Sequence, residues 1–132
     1  MVEFAAVTVL LVLVLLASVE FGRMVLVSNA VANSARAGVR YAITHGSDRT
    51  GTGSTGPSGP SSNPTEVVTV VKNFAAAGAL DITKLNITVD YPDAANSARS
   101  RVNVTVIYPY DPFSVLPLHV NLGTTSQGVI TY

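Results

Sequence analysis

Two histidines are the only imidazole side chains in the chain, and cysteine is absent. His45, Ser47 and Asp48 stand close together in the segment HGSD and supply the residue types of a hydrolase triad. A triad normally draws its members from separate segments, because neighbouring loop residues cannot reach the required geometry. The second histidine, His119, is distant in sequence from His45, and two histidines fall short of a metal ligand set. We therefore expect no enzymatic activity, no metal site and no cofactor.

The glycines of residues 51–56, GTGSTG, match the spacing of a dinucleotide-binding loop. That loop requires a strand before it and a helix after it. Here no strand pattern precedes the glycines, and Pro57 and Pro60 prevent a helix from following. Eight basic residues balance eight acidic ones, so the composition offers no attraction to nucleic acid. We expect neither a nucleotide nor a nucleic acid as a partner.

Two parts of the sequence offer candidate glycosylation sites. Residues 46–63 are rich in Gly, Ser, Thr and Pro, which predicts a surface loop. Such a composition is either a plain flexible loop or a carrier of O-linked sugars, with candidates Thr50, Thr52, Ser54, Thr55, Ser58, Ser61 and Ser62. Asn86 and Asn103 each begin an N-glycosylation sequon, and both are predicted on the outward face of a sheet.

The strongest signal lies at the beginning of the chain. Residues 4–19 contain no charge, no Gly and no Pro. Burying a large aliphatic side chain yields roughly 1.5–3 kcal/mol, so the whole run represents some tens of kcal/mol. The run is slightly shorter than the about 20 residues that span a bilayer comfortably. The pattern predicts a helix that leaves water, either for lipid or for other protein.

Three charged residues border this run. Glu3 lies at its start, where a carboxylate is stabilised by the positive end of a helix dipole and can approach a terminal ammonium group. Glu20 and Arg23 follow it, one helical turn apart, and can form an ion pair. No Pro occurs between Arg23 and Pro57, so we expect one helix of about 42 residues, roughly 60 Å long.

The second part of this helix has two faces. One is polar, and the other consists of small side chains that permit close packing against the protein's own sheet. The polar face contains Asn29, Asn33, Arg36 and Arg40, and the small one contains Val27, Val31, Ala35, Gly38 and Ala42, flanked by Ala30 and Ala37.

The remaining sequence predicts a short amphipathic helix over residues 64–80, although its valines leave a strand as the alternative. Alternation of apolar and polar residues predicts strands at 85–91 and 101–108, joined as a hairpin. Two further strands are expected at 119–122 and 126–132, separated by Gly123-Thr-Thr. The fold class is therefore α+β, with a long N-terminal helix packed on a small antiparallel sheet.

We divide the chain into three parts. Residues 1–45 form the N-terminal helix, with an apolar assembly or membrane segment at 1–27 and an amphipathic part at 28–45. Residues 46–63 form the loop. Residues 64–132 form a small C-terminal domain, which lacks disulfides and must be stabilised by packing.

Several of these segments together resemble TadE-like pilins, the type IV pilin relatives of tight-adherence systems. At the N-terminal end the matching segments are VEFA at 2–5, VEFGR at 19–23, NAVANSARAGVRYA at 29–42 and HGS at 45–47. At the other end the segments 102–109, 112–118 and 124–131 resemble the closing strands of the family. The loop from residue 48 to about residue 64 has no counterpart.

The resemblance implies a leader removed by a membrane prepilin peptidase of the aspartyl type, and a pilus assembly machinery as a further partner. It also implies that Glu3 neutralises the terminal amine of a neighbouring subunit. Arg23, Arg36 and Arg40 follow the apolar run and no basic residue precedes it, which by the positive-inside rule would keep the polar part in the cytoplasm. We expect a basic leader before Met1 to reverse that orientation.

These observations predict a structural subunit of an extracellular, type IV pilus-like filament on the cell surface. It would reside in the cytoplasmic membrane before assembly and polymerise with copies of itself. The residues expected to carry assembly are Glu3, Phe4, Leu10, Leu11, Leu13, Leu15, Leu16, Glu20, Phe21 and Arg23. Two alternatives remain open, namely a minor pseudopilin retained in the membrane and a membrane-anchored adhesin module.

Overall fold

The computed structural model describes residues 2–52, 57–59, 63–112 and 119–131. Four of the proposed O-glycosylation positions, Ser54, Thr55, Ser61 and Ser62, lie outside the described residues. The end of the last predicted strand, Tyr132, also lies outside them. Within the described residues the chain forms two helices and three strands.

Helix α1, Val2–Thr44, contains 43 residues and confirms the single long helix predicted from the sequence. At 1.5 Å per residue it is about 65 Å long. Residues 3–19 are exposed on every side, whereas Val31, Ala35 and Ala42 farther along the helix are buried. The first part of α1 therefore protrudes from the rest of the molecule.

Helix α2, Thr65–Ala77, confirms the helix and excludes the strand alternative. Its buried residues Val67, Val71 and Ala75 are spaced by four, which places them on one face. The helix ends where the Gly78 N–H donates to the Phe74 carbonyl at 3.1 Å. Helix α2 packs against α1 through this face.

The two helices run antiparallel and approach each other closely at glycines. A Cβ atom placed on Gly38 would lie 2.5 Å from Val71 Cγ2, and one placed on Gly78 would lie 2.7 Å from the Ala30 Cβ. The middle of α2 thus lies beside Gly38, and the residue that follows α2 lies beside Ala30, nearer the start of α1. The small residues were predicted to pack against the sheet, and Gly38 approaches both α2 at Val71 and the sheet at Val104.

Three strands, β1 (Asn86–Asp90), β2 (Arg101–Tyr110) and β3 (Val120–Val129), form an antiparallel sheet of order β1-β2-β3. The predicted hairpin of the first two strands is confirmed, with Val89 opposite Val104. Fully buried Val102, Val104 and Val106 alternate with Asn103 and Thr105 on the outer face. The fold is therefore α+β, as predicted.

The expectation of two strands at 119–122 and 126–132 was wrong, because β3 is one continuous strand. Gly123, Thr124 and Thr125 do not form a turn but pair with Ile107, Val106 and Thr105. β-branched threonines suit an extended backbone, and the pairing continues along all of the ten-residue strand β2. His119 lies just before the strand rather than within it.

The core lies between the sheet, α2 and the second half of α1. It contains Val31, Ala35, Val39 and Ala42 from α1, Val67, Val71 and Ala75 from α2, and Val89, Val102, Val104, Val106 and Ile130 from the sheet region. β3 reaches α1 at Gly128, where an added Cβ would lie 2.6 Å from Val39 Cγ1. Valine and alanine dominate this core, and because both side chains are small, the helices and the sheet lie close together.

The two faces predicted for the second half of α1 are both present. Asn29, Asn33, Arg36 and Arg40 are exposed, and Val31, Ala35, Gly38 and Ala42 are buried, with Val27 half-buried. We use "the domain" below for the second half of α1 together with α2 and the sheet. We use "the rod" for residues 4–19 of α1.

Candidate functional site

The rod exposes an unusually large apolar surface. Phe4 is 80% exposed, Leu10 65% and Leu16 63%. The other leucines predicted to carry assembly are exposed to a similar degree, namely Leu11, Leu13 and Leu15. A contiguous apolar surface of this size marks an interaction with protein or membrane.

The two polar side chains within the rod are satisfied by the helix itself. The Thr8 hydroxyl donates to the Phe4 carbonyl and the Ser18 hydroxyl to the Val14 carbonyl, each at 2.8 Å. Neither side chain therefore needs water. The rod can enter lipid or a protein interior without leaving a hydroxyl unpaired.

Glu3 lies exposed in the first turn of α1. This position is favourable for a carboxylate because of the helix dipole. Its proposed partner, the terminal amine of another subunit, belongs to a second chain. The role of Glu3 in assembly therefore stays a prediction.

Tyr110, the last residue of β2, contacts α1 where the rod ends. Its hydroxyl donates a hydrogen bond to the Glu20 carboxylate. An Arg23 guanidinium nitrogen lies 3.6 Å from the same carboxylate, and the guanidinium carbon lies 5.6 Å from the centre of the Tyr110 ring, within the range of a cation–π interaction. We call Glu20, Arg23 and Tyr110 the junction cluster.

The junction cluster contains the predicted ion pair and one residue that the sequence did not reveal. Glu20 and Arg23 are near enough in sequence to be paired on helical spacing alone. Tyr110 is separated from Glu20 by 90 positions, and only the packing of β2 against α1 brings it there. A tyrosine at the end of an alternating strand is the one available signal. Tyr110 is 4% exposed, so it is part of the folded domain. Its hydrogen bond to Glu20 fixes α1 to the domain directly after the rod.

The opposite face of α1 remains apolar beside the junction cluster. Phe21 is 68% exposed, Val25 42% and Leu26 70%, and a Cβ on Gly22 would meet no atom within 4 Å. We call these four residues the outer face of the junction. Charge and apolar surface therefore lie on different sides of the same two helical turns.

His45 lies at the other end of α1 in a structural position. Its Nδ1 atom lies 2.7 Å from the Tyr41 carbonyl oxygen and 3.0 Å from the Thr44 hydroxyl oxygen, and its ring stacks on Tyr41 with 3.7 Å between centroids. The Ser47 hydroxyl instead lies 3.4 Å from the Asp48 carboxylate. The HGSD segment thus does not adopt the arrangement of a hydrolase triad.

Ser58, one of the O-glycosylation candidates, is buried in the structure. It is 1% exposed, and its hydroxyl donates to the His45 carbonyl at 3.3 Å. Its own carbonyl accepts hydrogen bonds from the Tyr91 hydroxyl at 3.2 Å and the Asn96 amide at 3.1 Å. A sugar cannot be attached there without opening this network. Thr50 and Thr52 are exposed, and their modification stays a prediction.

The two sequons share the outer face of the sheet, as expected, but differ in exposure. Asn86 is exposed, whereas Asn103 is half-buried between its cross-strand neighbours Asp90 and Gln127. The Thr105 hydroxyl of the second sequon lies 2.9 Å from that of Thr125. Asn86 is therefore the more accessible of the two positions, and modification at either stays a prediction.

A second polar cluster lies beside the junction cluster, at the start of the β2–β3 connection. The Asp111 carboxylate lies 3.1 Å from His119 Nδ1 and 3.2 Å from Lys84 Nζ. The hydrogen bond to His119, and then that to Lys84, lower the pKa of Asp111. Among the described residues no group of three His, Cys, Asp or Glu side chains could hold a metal ion.

Comparison with known proteins connects the exposed helix to a family. A family model described as TadE-like protein matches residues 1–40. Neither the curated proteins nor the solved structures gave a match. Among the described helices, α1 is long and apolar enough to cross a membrane over Glu3–Thr44, judged by length and composition. These findings fit a pilus-related protein that associates with a membrane. The resemblance to TadE-like proteins is thereby confirmed over residues 1–40, which include the entire rod.

Proposed function

We propose that this protein is a structural subunit of an extracellular, type IV pilus-like filament, and that copies of the rod form the interior of that filament. The observation that carries the proposal is the exposure of the rod on every side, because the folded domain covers none of it. At roughly 1.5–3 kcal/mol per buried large side chain, covering the rod favours association strongly. Lipid covers it before assembly, and neighbouring rods cover it afterwards.

Glu3 gives the rods their register in this proposal. A carboxylate among apolar helices is costly unless it is paired, and the terminal amine of an adjacent subunit is the partner expected. The sheet and the loop lie outward, where the filament meets its surroundings. Processing by a prepilin peptidase and export by a pilus assembly machinery precede this step.

The proposal is tested with Glu3→Gln, which keeps the shape of the side chain and removes its charge. We expect normal amounts of folded subunit in the membrane and a strong reduction of filaments sheared from producing cells. Asn33→Ala serves as the matched control, because it changes an exposed polar position of the same helix outside the rod. An unchanged yield of filaments from Glu3→Gln would contradict the proposed role.

A second function, a minor pseudopilin that stays in the membrane, is favoured by one observation. The rod is apolar on all sides and its two hydroxyls are paired internally, so lipid alone can accommodate it. The two functions differ in abundance. Mass spectrometry of sheared filaments should find this chain as the main band of a major subunit, or as a trace component of a minor one.

A further inference from the structure

The rod is too short to cross a bilayer by itself. Residues 4–19 span about 24 Å as a helix, whereas the hydrocarbon layer of a typical bilayer is about 30 Å thick. The next residues include Glu20 and Arg23, which are costly to place in lipid. The exposed apolar residues after Val19 can meet the remaining acyl chains, unless the bilayer becomes thinner.

The junction cluster separates the two charges from that surface. Glu20 and Arg23 are half-buried and face the domain, where Glu20 accepts the Tyr110 hydroxyl and pairs with Arg23. The guanidinium also lies over the Tyr110 ring. Both charges therefore have a charged or aromatic partner within the protein, on one side of α1.

The outer face of the junction provides the missing length. Phe21, Val25 and Leu26 are exposed there. The charged residue nearest to Leu26 is Arg23, one helical turn away, and its guanidinium lies over the Tyr110 ring. Counted to Leu26, the apolar surface extends over about 34 Å, which exceeds the hydrocarbon thickness. A tilt of α1 toward this face, common for membrane helices, brings it into the lipid while the junction cluster stays in the headgroup layer.

We propose that the outer face of the junction docks into the lipid hydrocarbon, and that Tyr110 is the positioning residue that holds Glu20 and Arg23 on the protein side. The domain then rests directly on the membrane surface without an intervening stalk. Tyrosine suits this boundary, since its ring is apolar and its hydroxyl polar. This inference rests on the membrane stage of the proposed function.

The test exploits the absence of tryptophan from the chain. Single substitutions Leu26→Trp, Leu11→Trp and Asn33→Trp are introduced into the full chain, which is reconstituted at low protein density in phosphatidylcholine vesicles. Fluorescence is then compared with and without brominated phosphatidylcholine. We expect Leu26→Trp and Leu11→Trp to be quenched several-fold more than Asn33→Trp.

Tyr110→Phe, combined with Leu26→Trp, tests the positioning role. It keeps the ring and removes the hydroxyl, so Glu20 loses its neutral partner and draws water toward the junction. We expect weaker quenching at Leu26 with unchanged quenching at Leu11, and circular dichroism verifies that the fold is retained. Equal quenching at Leu26 with and without the hydroxyl would overturn the role of Tyr110.

The outcomes distinguish failure of this inference from failure of the proposed function on which it rests. Quenching at Leu11 but not at Leu26 would refute the lipid docking of the outer face while leaving the membrane stage intact. Absence of quenching at both positions would refute both. Quenching at Leu26 that is strong at low protein density and weak only at high density would still support the lipid docking, with a second copy of the chain covering this face afterwards.

Discussion

Two glycines of α1 differ in how closely other residues approach them, and an alanine substitution at each position measures this difference. Gly38 lies in the core, where an added Cβ would approach Val71 Cγ2 to 2.5 Å and Val104 Cγ1 to 3.3 Å. Gly38→Ala should therefore lower the free energy of unfolding by about 1–3 kcal/mol through overpacking. Urea unfolding of the full chain in mild detergent, followed by circular dichroism, measures the change.

Gly22 supplies the matched control in the same helix. A Cβ there meets no atom within 4 Å, so only the backbone preference of glycine changes. Gly22→Ala should leave stability unchanged or raise it by up to about 1 kcal/mol. If both variants shifted the unfolding curve equally, the close contact of α1 with α2 and the sheet would be refuted.

Asp93 predicts a dependence of stability on pH. Its carboxylate accepts hydrogen bonds from the Arg101 side chain, at 2.8 and 3.2 Å, and from the Arg101 backbone N–H at 2.8 Å. These bonds lower the pKa of Asp93 from 3.8 to about 2. The pKa of Asp93 is lower in the folded state than in the unfolded state. The carboxylate therefore stabilises the fold above pH 3.8, and this stabilisation is lost as the pH falls from 3.8 to about 2.

We therefore expect Asp93→Asn to lose less stability than the natural chain when the pH falls from about 6 to about 2. Hydrogen bonds to Thr83 also lower the pKa of Asp81, and those to His119 and Lys84 that of Asp111. Both chains contain these groups, so only their difference reports on Asp93. Parallel pH profiles of the two chains in urea unfolding would exclude the contribution.

At the scale of elements, the short strand β1 forms one edge of the sheet, and Asn63 pairs with the backbone of that strand at Val89. The Val89 N–H donates to the Asn63 side-chain oxygen at 2.6 Å, and the Asn63 N–H donates to the Val89 carbonyl at 3.2 Å. The Val89 backbone on the outer side of β1 is thereby paired. Protection of a strand edge also prevents pairing with other chains.

Replacement of Asn63 should loosen β1. Asn63→Gly tolerates the positive φ of 52° but removes the acceptor, and we expect the free energy of unfolding to fall by about 1 kcal/mol. Asn63→Asp keeps an acceptor and should retain most of the stability. Faster amide exchange at Val89 in the glycine variant alone would identify the lost bond, while equal exchange in both variants would contradict it.

Much of the fold follows from periodic patterns in the sequence. The uninterrupted run before Pro57 predicted α1, the helical spacing of apolar residues within 64–80 predicted α2, and alternation predicted the β1–β2 hairpin. Each of these signals is local, because it depends on which face of one element meets the core. The small residues Gly38 and Ala42 likewise indicated a close contact. It was predicted with the sheet, whereas Gly38 approaches both Val71 of α2 and Val104 of β2.

Two features required the tertiary structure. Gly123-Thr-Thr resembled a turn, but pairing with β2 holds it extended, and that long-range pairing outweighs the weak local preference. Tyr110 acquired a partner 90 positions away, which no spacing within one element can indicate. Local patterns therefore predicted the elements, while contacts between distant elements determined the junction cluster and the length of β3.

At the scale of the whole molecule, the chain combines a folded domain with a helix that the domain does not cover. All core residues of α1, from Val31 to Ala42, lie beyond the junction cluster. The rod contributes nothing to that core, and its apolar surface is exposed. The stability of the domain and the association of the rod should therefore be separable.

A chain that begins at Met24 tests this separation. It lacks the rod, Glu20 and Arg23 but keeps every core residue of α1. We expect a folded monomer that is soluble without detergent, because most of the uncovered apolar surface, the rod, has been removed. Loss of the Tyr110 hydrogen bond should lower the free energy of unfolding by about 1 kcal/mol. Sedimentation and circular dichroism measure both properties, with the full chain in detergent as the reference.

Filament formation provides the decisive readout for the truncated chain. If association depends on the rod, this chain should neither form fibres alone nor enter filaments of the full chain when both are produced together. A soluble, folded domain that still polymerised would place the assembly interface on the sheet or on α2, and the exposed rod would then serve only as a membrane anchor. A truncated chain that failed to fold would instead show that the junction cluster is essential to the domain, contrary to the core arrangement described above.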